Sequence, residues 1–351
     1  MTFAQAIAPS RPFMIRMRDV ALRAGVSAST VSHVLNGTRF VEPATGERVR
    51  RAIEELGYHP SRAARALVRG ASDLLGLIIS DITNPFFPEL VKVFEAAALG
   101  MGCEITLANT NYDPKRTVAC VERMLAERVR GVAVMTSEMD EMLIERLRRA
   151  QVPVVYFERG EADAFASNIV VDYQSGIRAA VEHLWDLGHR RLGFISAPPT
   201  LRSTRQRREV FERSLARLGG RARVEIGDMR QSGGHEAARR LLAGAEPVTA
   251  IMASNDLMAF GALQAINGAG LRVPEEVSLI GFDNVMFSAL TQPPLTTVEL
   301  SRQQLGELAV QALRNIAAAP SHQGQQYKLR TRLIVRESTA VPARRARRAS
   351  S

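Results

Sequence analysis

Apolar positions along the chain fall into distinct rhythms. Over Met17–Asn36, Val20, Ala21 and Ala24 recur at helical spacing, Gly25 interrupts them, and Val31, Val34 and Leu35 resume the stripe. This predicts two short helices joined by a tight turn. The first is stopped by a glycine free to take positive φ, and the second is capped by the Ser27 hydroxyl. Ala21 has no side chain beyond Cβ, so the second helix can cross close above the first, which is the spacing of a helix-turn-helix. Ser29, Thr30, Ser32, His33 and Asn36 then face outward, as on a helix offered to a major groove. An ordinary helical hairpin in a small bundle is the alternative reading of this stretch.

A third helix is predicted over Pro43–Leu56, with a face of Val49, Ala52, Ile53 and Leu56. It closes an all-α headpiece over 15–60, and Gly46 inside it costs ~1 kcal/mol against alanine. The Ala/Arg segment that follows, 61–72, is too short to hold a helix alone in water, so a linker helical only when docked is expected. From Asp73 the rhythm changes again. Short apolar runs at Leu74–Ile79, Glu104–Ala108, Gly131–Met135 and Val152–Phe157 alternate with amphipathic stretches at 87–99, 114–127 and 141–150. A second series has strands at 169–171, 191–195, 224–226, 250–253 and 277–282, and helices at 175–187, 204–218, 234–242 and 256–269. Alternation of this kind predicts parallel sheets with helices on both faces, here in two lobes. Ligands of such folds sit off the carboxyl ends of the strands.

Charge sharpens this division. Residues 1–70 hold 11 arginines against 5 acidic groups, the tail 341–351 adds 4 arginines, and the 31 basic and 31 acidic groups of 71–340 cancel. A neutral body with a basic head suits a protein that docks on phosphates at one end only. Cys103 and Cys120 are too few for a disulfide framework and read as buried thiols. Residues 1–14 read as a disordered leader without a signal-peptide core, and no segment approaches ~18 apolar residues, so a cytoplasmic protein without a membrane span is expected. His183, Asp186 and His189 do not share one helix face, and no metal or cofactor is expected.

Several motifs in one order carry a resemblance. They are Asp19-Val20-Ala21, Gly25-Val26-Ser27, Thr30-Val31-Ser32, Asn36-Gly37, Gly57-Tyr58-His59-Pro60 and Asn84-Pro85-Phe86-Phe87. Further on stand Leu187-Gly188-His189-Arg190, Ser254-Asn255-Asp256 and Val273–Asn284. From about Ile15 to Ala340 the chain resembles the lactose/galactose repressor (LacI/GalR) family of bacterial transcription regulators. The resemblance implies a homodimer reading a pseudo-palindromic double-stranded operator, and a core like a periplasmic sugar-binding protein that takes a small effector. It implies an N-lobe of about 73–161 and 299–325, and a C-lobe of about 162–298 and 326–340. The linker would fold on DNA as a hinge helix, with Leu67 wedged in the minor groove and Ala64 small enough for two hinges to meet. Tyr58, Ser61 and Arg62 join it on the DNA side.

For direct readout Ala28, Ser29 and His33 are the candidates, with Ser27, Thr30, Ser32 and Asn36 holding the phosphate backbone. His33 stands where many relatives carry arginine. The family's cleft positions map onto Asp81, Phe86, Glu158, Arg207, Asn255 and Asp283, a set suited to a sugar or sugar acid. Val210 replaces the usual glycine near Arg207. The run Arg202, Arg205, Arg207, Arg208 could mark an anionic effector, or a solvated helix face. A solute-binding protein would leave the headpiece idle. An enzyme would need a nucleotide or catalytic signature, and neither G-x-G-x-x-G, a P-loop nor G-x-S-x-G occurs. The tail 341–351 lacks the apolar seam of a tetramerising coiled coil, so a dimer without catalytic residues is expected.

Overall fold

The computed structural model describes residues 15–58, 72–136, 139–159, 162–199, 202–243, 247–319 and 321–343. The chain forms two compact units, Met1–Ser72 and Asp73–Ser351. In the first, α1 (Met17–Ala24), α2 (Ala28–Asn36) and α3 (Pro43–Leu56) follow the expected periodicity. Gly25 ends α1 at φ +64°, a conformation only glycine adopts without steric cost. Val20, Ala21, Ala24, Val31, Val49, Ala52 and Tyr58 make a buried core, with Val34, Leu35, Ile53 and Leu56 packed around it. Tyr58, which the resemblance put on the DNA side, lies largely buried in the headpiece. The reason is local: after Gly57 the Tyr58 N–H donates 3.0 Å to the Ile53 carbonyl. This closing turn swings the residue after the glycine back over the helix end.

The second unit alternates β1 (Leu74–Ile79), α4 (Phe86–Leu99), β2 (Glu104–Asn109), α5 (Pro114–Ala126), β3 (Gly131–Met135), α6 (Glu141–Arg149) and β4 (Val154–Phe157). It continues with β5 (Ala166–Asp172), α7 (Tyr173–Asp186), β6 (Leu192–Ser196), α8 (Arg202–Arg217), β7 (Ala222–Ile226), α9 (Gln231–Leu242), β8 (Ala250–Ala253), α10 (Asp256–Gly268) and β9 (Ser278–Asp283). β10 (Thr296–Leu300), α11 (Arg302–Ala318) and β11 (Gln326–Ile334) complete it. The strand order is β2-β1-β3-β4-β5-β11-β10-β9-β8-β6-β7. Pairings within both series are parallel, as expected, but β10 and β11 run antiparallel, which the alternation did not predict.

Side-chain alternation shows how both faces are covered. Leu75, Leu77 and Ile79 of β1 and Ile280 and Phe282 of β9 share one core with α4, α7, α8 and α11. Ile78 turns to the opposite face with α5 and α6, and Leu279 turns to α9 and α10. β5 pairs with β4 on one side and β11 on the other, so it continues the first series, whereas its sequence position suggested the start of the second. β11 spans the seam: Gln326–Arg330 pair with β5, and Thr331–Ile334 with β10. No helix among the described residues is long and apolar enough to cross a membrane. Cys103 and Cys120 are free and buried. His189 is buried against Thr249, Ser278 and the Ala340 carbonyl at 2.9 Å each, and burial lowers its pKa.

Helices α9 and α10 meet through glycines. A Cβ on Gly261 would run into the Gln231 carbonyl, and one on Gly234 into the Met258 carbonyl. Backbone cannot yield as a side chain can, so Gly261→Ala is expected to destabilise the unit by about 2 kcal/mol or more, against a usual 1–3 for overpacking. Urea unfolding followed by circular dichroism checks this; an unchanged midpoint would contradict the packing.

Candidate functional site

The outward face of α2 begins at its cap. The Ser27 hydroxyl accepts from the Thr30 N–H at 3.1 Å and lies 2.7 Å from Ser29 Oγ and 2.8 Å from Thr30 Oγ1. Ser27, Ala28 and Ser29 are exposed, while Thr30, Ser32, His33 and Asn36 are half-buried. His33 is fixed through Nδ1, 2.8 Å from Thr38 Oγ1. Asn36 Nδ2 donates to the Ser32 carbonyl at 2.9 Å and to Ser32 Oγ at 3.2 Å, tying the amide to the last turn. The helix thus presents a methyl and hydroxyls at its first turn and a fixed imidazole in its last turn, groups without the paired donor and acceptor of a bidentate base contact. Leu22 and Phe40 are 80% and 90% exposed; the periodicity analysis assigned neither. Ser61, Arg62, Ala64 and Leu67 lie outside the described residues.

In the second unit a cavity of about 310 Å³ opens at the carboxyl ends of the strands, within the usual range for small-ligand sites. Four of the six positions mapped from sequence line it: Phe86, Glu158, Arg207 and Asp283. Phe86 is the first residue of α4 and meets Phe87 edge-on at 5.4 Å. Glu158 directly follows β4, and Asp283 ends β9, with φ of +62° and +108°. Left-handed backbone at two carboxylates costs energy that the surrounding fold must supply, a feature concentrated at ligand sites.

Arg207 projects from α8 and is the buried member of the arginine run; Arg202 and Arg205 are exposed and Arg208 pairs with Glu212 at 3.0 Å. Its guanidinium donates to the Ser254 carbonyl and lies 3.7 Å from Asp283 Oδ1. The same group sits 4.0 Å from the Phe282 ring centre and 5.1 Å from that of Tyr173, where aromatic faces stabilise the cation. Arg207 Nε, Tyr173 OH and Ser254 Oγ are buried without a hydrogen-bond partner among the described residues. Buried polar atoms of this kind are costly unless a ligand or water completes them.

Asp81 and Asn255 are not among the lining residues. Asp81 accepts from Thr83 N at 2.9 Å and Thr83 Oγ1 at 2.7 Å, a side-chain turn that ends β1. Asn255 caps α10, accepting from Met258 N at 2.8 Å, and donates to the Met229 carbonyl at 2.9 Å. Lining residues not mapped from the sequence include Arg159, Arg202, Phe157 and Met229.

Burial pushes the Asp283 carboxyl up to about 7 against the pull of Arg207. Burial likewise raises Glu158 to about 7, although its Oε1 accepts from the Val171 N–H. A carboxyl whose folded pKa exceeds its ordinary 3.8 contributes stability that is full below that value and is lost as pH rises through about 7. Asp283→Asn removes this dependence. The variant's melting temperature relative to the native chain is therefore expected to climb between pH 5 and 8; a flat difference would contradict the raised carboxyl.

Comparison with known proteins gives this geometry its context. The model for bacterial regulatory proteins of the lacI family matches residues 16–61, and that for a periplasmic binding protein-like domain matches 181–339. The chain is 33% identical over 332 residues to the HTH-type transcriptional repressor PurR of Photobacterium profundum, covering 93% of this chain and 98% of that protein. It is 35% identical over 329 residues to the ribose operon repressor of Escherichia coli, covering 93% and 100%. The crystal structure of the lac repressor dimer bound to operator and the anti-inducer ONPF matches with a TM-score of 0.81 at 29% identity, covering 93% and 99% of the two chains. With a capped helix-turn-helix in one unit and a cavity in the two-lobed α/β core of the other, the chain belongs to the lacI family of bacterial regulatory proteins.

Proposed function

We propose that this transcriptional repressor answers to a small polyhydroxylated ring, of the sugar type, held between Arg207 and Asp283 on one wall and Phe86 on the other. The observation that carries the reading is the buried Arg207–Asp283 pair at 3.7 Å, with Arg207 Nε without a partner among the described residues, in a cavity flanked by an aromatic wall. Vicinal hydroxyls donate to a carboxylate and accept from a guanidinium, and the apolar face of a ring packs on Phe86. A relative named as a ribose operon repressor supports the same class. Family membership makes the protein a DNA-binding regulator that works as a dimer on an operator. A cytoplasmic location follows from that role.

On the DNA side, Ala28, Ser29 and His33 touch base edges, while Ser27, Thr30, Ser32 and Asn36 hold the backbone. Ser61, Arg62, Ala64 and Leu67 form the hinge, with Leu67 prying open a base step. Effector occupancy changes the order of that hinge, a population shift that sets operator affinity.

A thermal-shift screen of D-ribose, other neutral sugars, sugar acids and nucleobases tests the effector class. A true ligand at 100 times its Kd stabilises by about 2.7 kcal/mol. Asp283→Ala is expected to abolish that shift while leaving operator affinity within about twofold, and Leu67→Ala to do the reverse; a stabilising nucleobase and silent sugars would sink the sugar reading.

A further inference from the structure

Three arginines and three carboxylates line the cavity, but their buried members do not balance. One buried cation, Arg207, faces two buried carboxyls that arrive from opposite walls: Glu158 from the end of β4 in the first series, and Asp283 from the end of β9 in the second. Around Glu158 stand Arg207 and Arg202. Around Asp283 stand Arg207 and Arg302, together with the like-charged Asp256 and Glu89. Of these cations, Arg302 is already committed, paired with Glu89 at 2.8 Å and donating to the Asp283 and Asn284 carbonyls. Arg159 at the rim is engaged by Glu141 at 3.3 Å. Arg202 is exposed, so water and salt screen it. Asp256 is saturated by Val285 N, Ser288 Oγ and Thr297 Oγ1.

We propose that Glu158 is a specificity-determining residue, whose charge beside that of Asp283 makes the cavity accept a neutral, donor-rich sugar and exclude its anionic counterpart. This rests on the sugar reading above and decides what that reading leaves open. A neutral ring brings hydroxyl donors to both carboxylates and completes their acceptor sites. The acid or phosphate of the same sugar keeps most of its hydroxyl donors but adds a third negative charge, whose oxygens only accept, to a site with one buried cation. Rejection by an unpaired like charge is an efficient route to specificity, because it costs the unwanted ligand without touching the wanted one. Both carboxyls lose their protons near pH 7, so the exclusion grows from pH 6 to pH 8. The Arg-rich run at the start of α8, which suggested an anionic effector, does not oppose this, since Arg207 alone of it is buried.

Calorimetric titration of the full chain with D-ribose, D-glucose and D-galactose, and with D-ribose 5-phosphate, D-glucuronate and D-galacturonate, tests the assignment. The native chain is expected to bind a neutral sugar at least about tenfold more tightly than its anionic counterpart at pH 8, with a narrower gap at pH 6. Glu158→Gln narrows the gap at pH 8 and Glu158→Asp keeps it. An anion bound as tightly as its neutral counterpart at pH 8, or a gap unchanged in Glu158→Gln, overturns the proposal while sparing the sugar reading. If Glu158→Gln loses neutral binding too, the native pH series decides, and a gap that does not widen from pH 6 to 8 overturns it. Silence of every sugar, neutral and anionic, at both pH values removes the sugar reading and this assignment together.

Discussion

Much of the second unit is arranged around one buried ion pair. Arg207 and Asp283 are both largely removed from water, 3.7 Å apart, and desolvating two charges costs more than a loose contact at that distance returns. The fold offsets the deficit with the Phe282 and Tyr173 rings beside the guanidinium and a bond to the Ser254 carbonyl. It leaves the rest open. Polar atoms of Arg207, Tyr173 and Ser254 lack a hydrogen-bond partner among the described residues, and Asp283 holds a backbone angle that few residues adopt. An incompletely satisfied, strained pair is poor for stability and well suited to a site that a ligand is meant to complete.

How that strain is held links the cavity to the rest of the lobes. Each N–H of the turn after β9 goes to a side chain: Asn284 N to Thr297 Oγ1 at 3.3 Å, Val285 N to Asp256 at 2.9 Å and Met286 N to Glu89 at 2.9 Å. Arg302 donates to the Asp283 and Asn284 carbonyls from the start of α11. Glu89 belongs to α4, the helix that begins with the cavity's Phe86. Elements that place Asp283 and Phe86 around the ligand are therefore tied together behind it by Glu89 and Arg302, 2.8 Å apart. The backbone around Asp283 is thus held by groups outside the cavity.

What the sequence could reveal follows from how local each feature is. The headpiece was legible because helical stripes, Gly25 and the Ser27 cap act within a few residues of themselves. Tyr58 came through the resemblance, and its burial was not legible because the fold-back after Gly57 is a matter of backbone geometry. β10 and β11 escaped the periodicity: Gln326–Ile334 is polar at alternate positions with only Leu329 and Thr331 buried, and Thr296–Leu300 owes its burial to partners far along the chain. Phe86, Glu158, Arg207 and Asp283 were reached through the resemblance, not through spacing. Asp81 and Asn255 came with them, but an aspartate or asparagine at a strand end has a backbone N–H within reach, and here each takes it. Nothing in the sequence announces that a carboxylate will be buried at positive φ.

The separation of charge explains why one chain can carry both activities. Phosphate attraction acts over about a Debye length and does not discriminate between sequences, so a basic surface on the effector unit would hold it to DNA whatever its occupancy. The balanced 71–340 segment avoids this. Its ion pairs are mostly local and exposed, such as Arg208 with Glu212 and Arg149 with Glu145, worth little individually but sufficient to cancel the field. Inside, the buried charge runs the other way: of the three arginines and three carboxylates that line the cavity, Glu158 and Asp283 are buried with Arg207 alone. A basic outside at the headpiece and an acid-rich inside at the cavity let a sugar-sized ligand and a polyanion be recognised by one molecule without competing for the same charges.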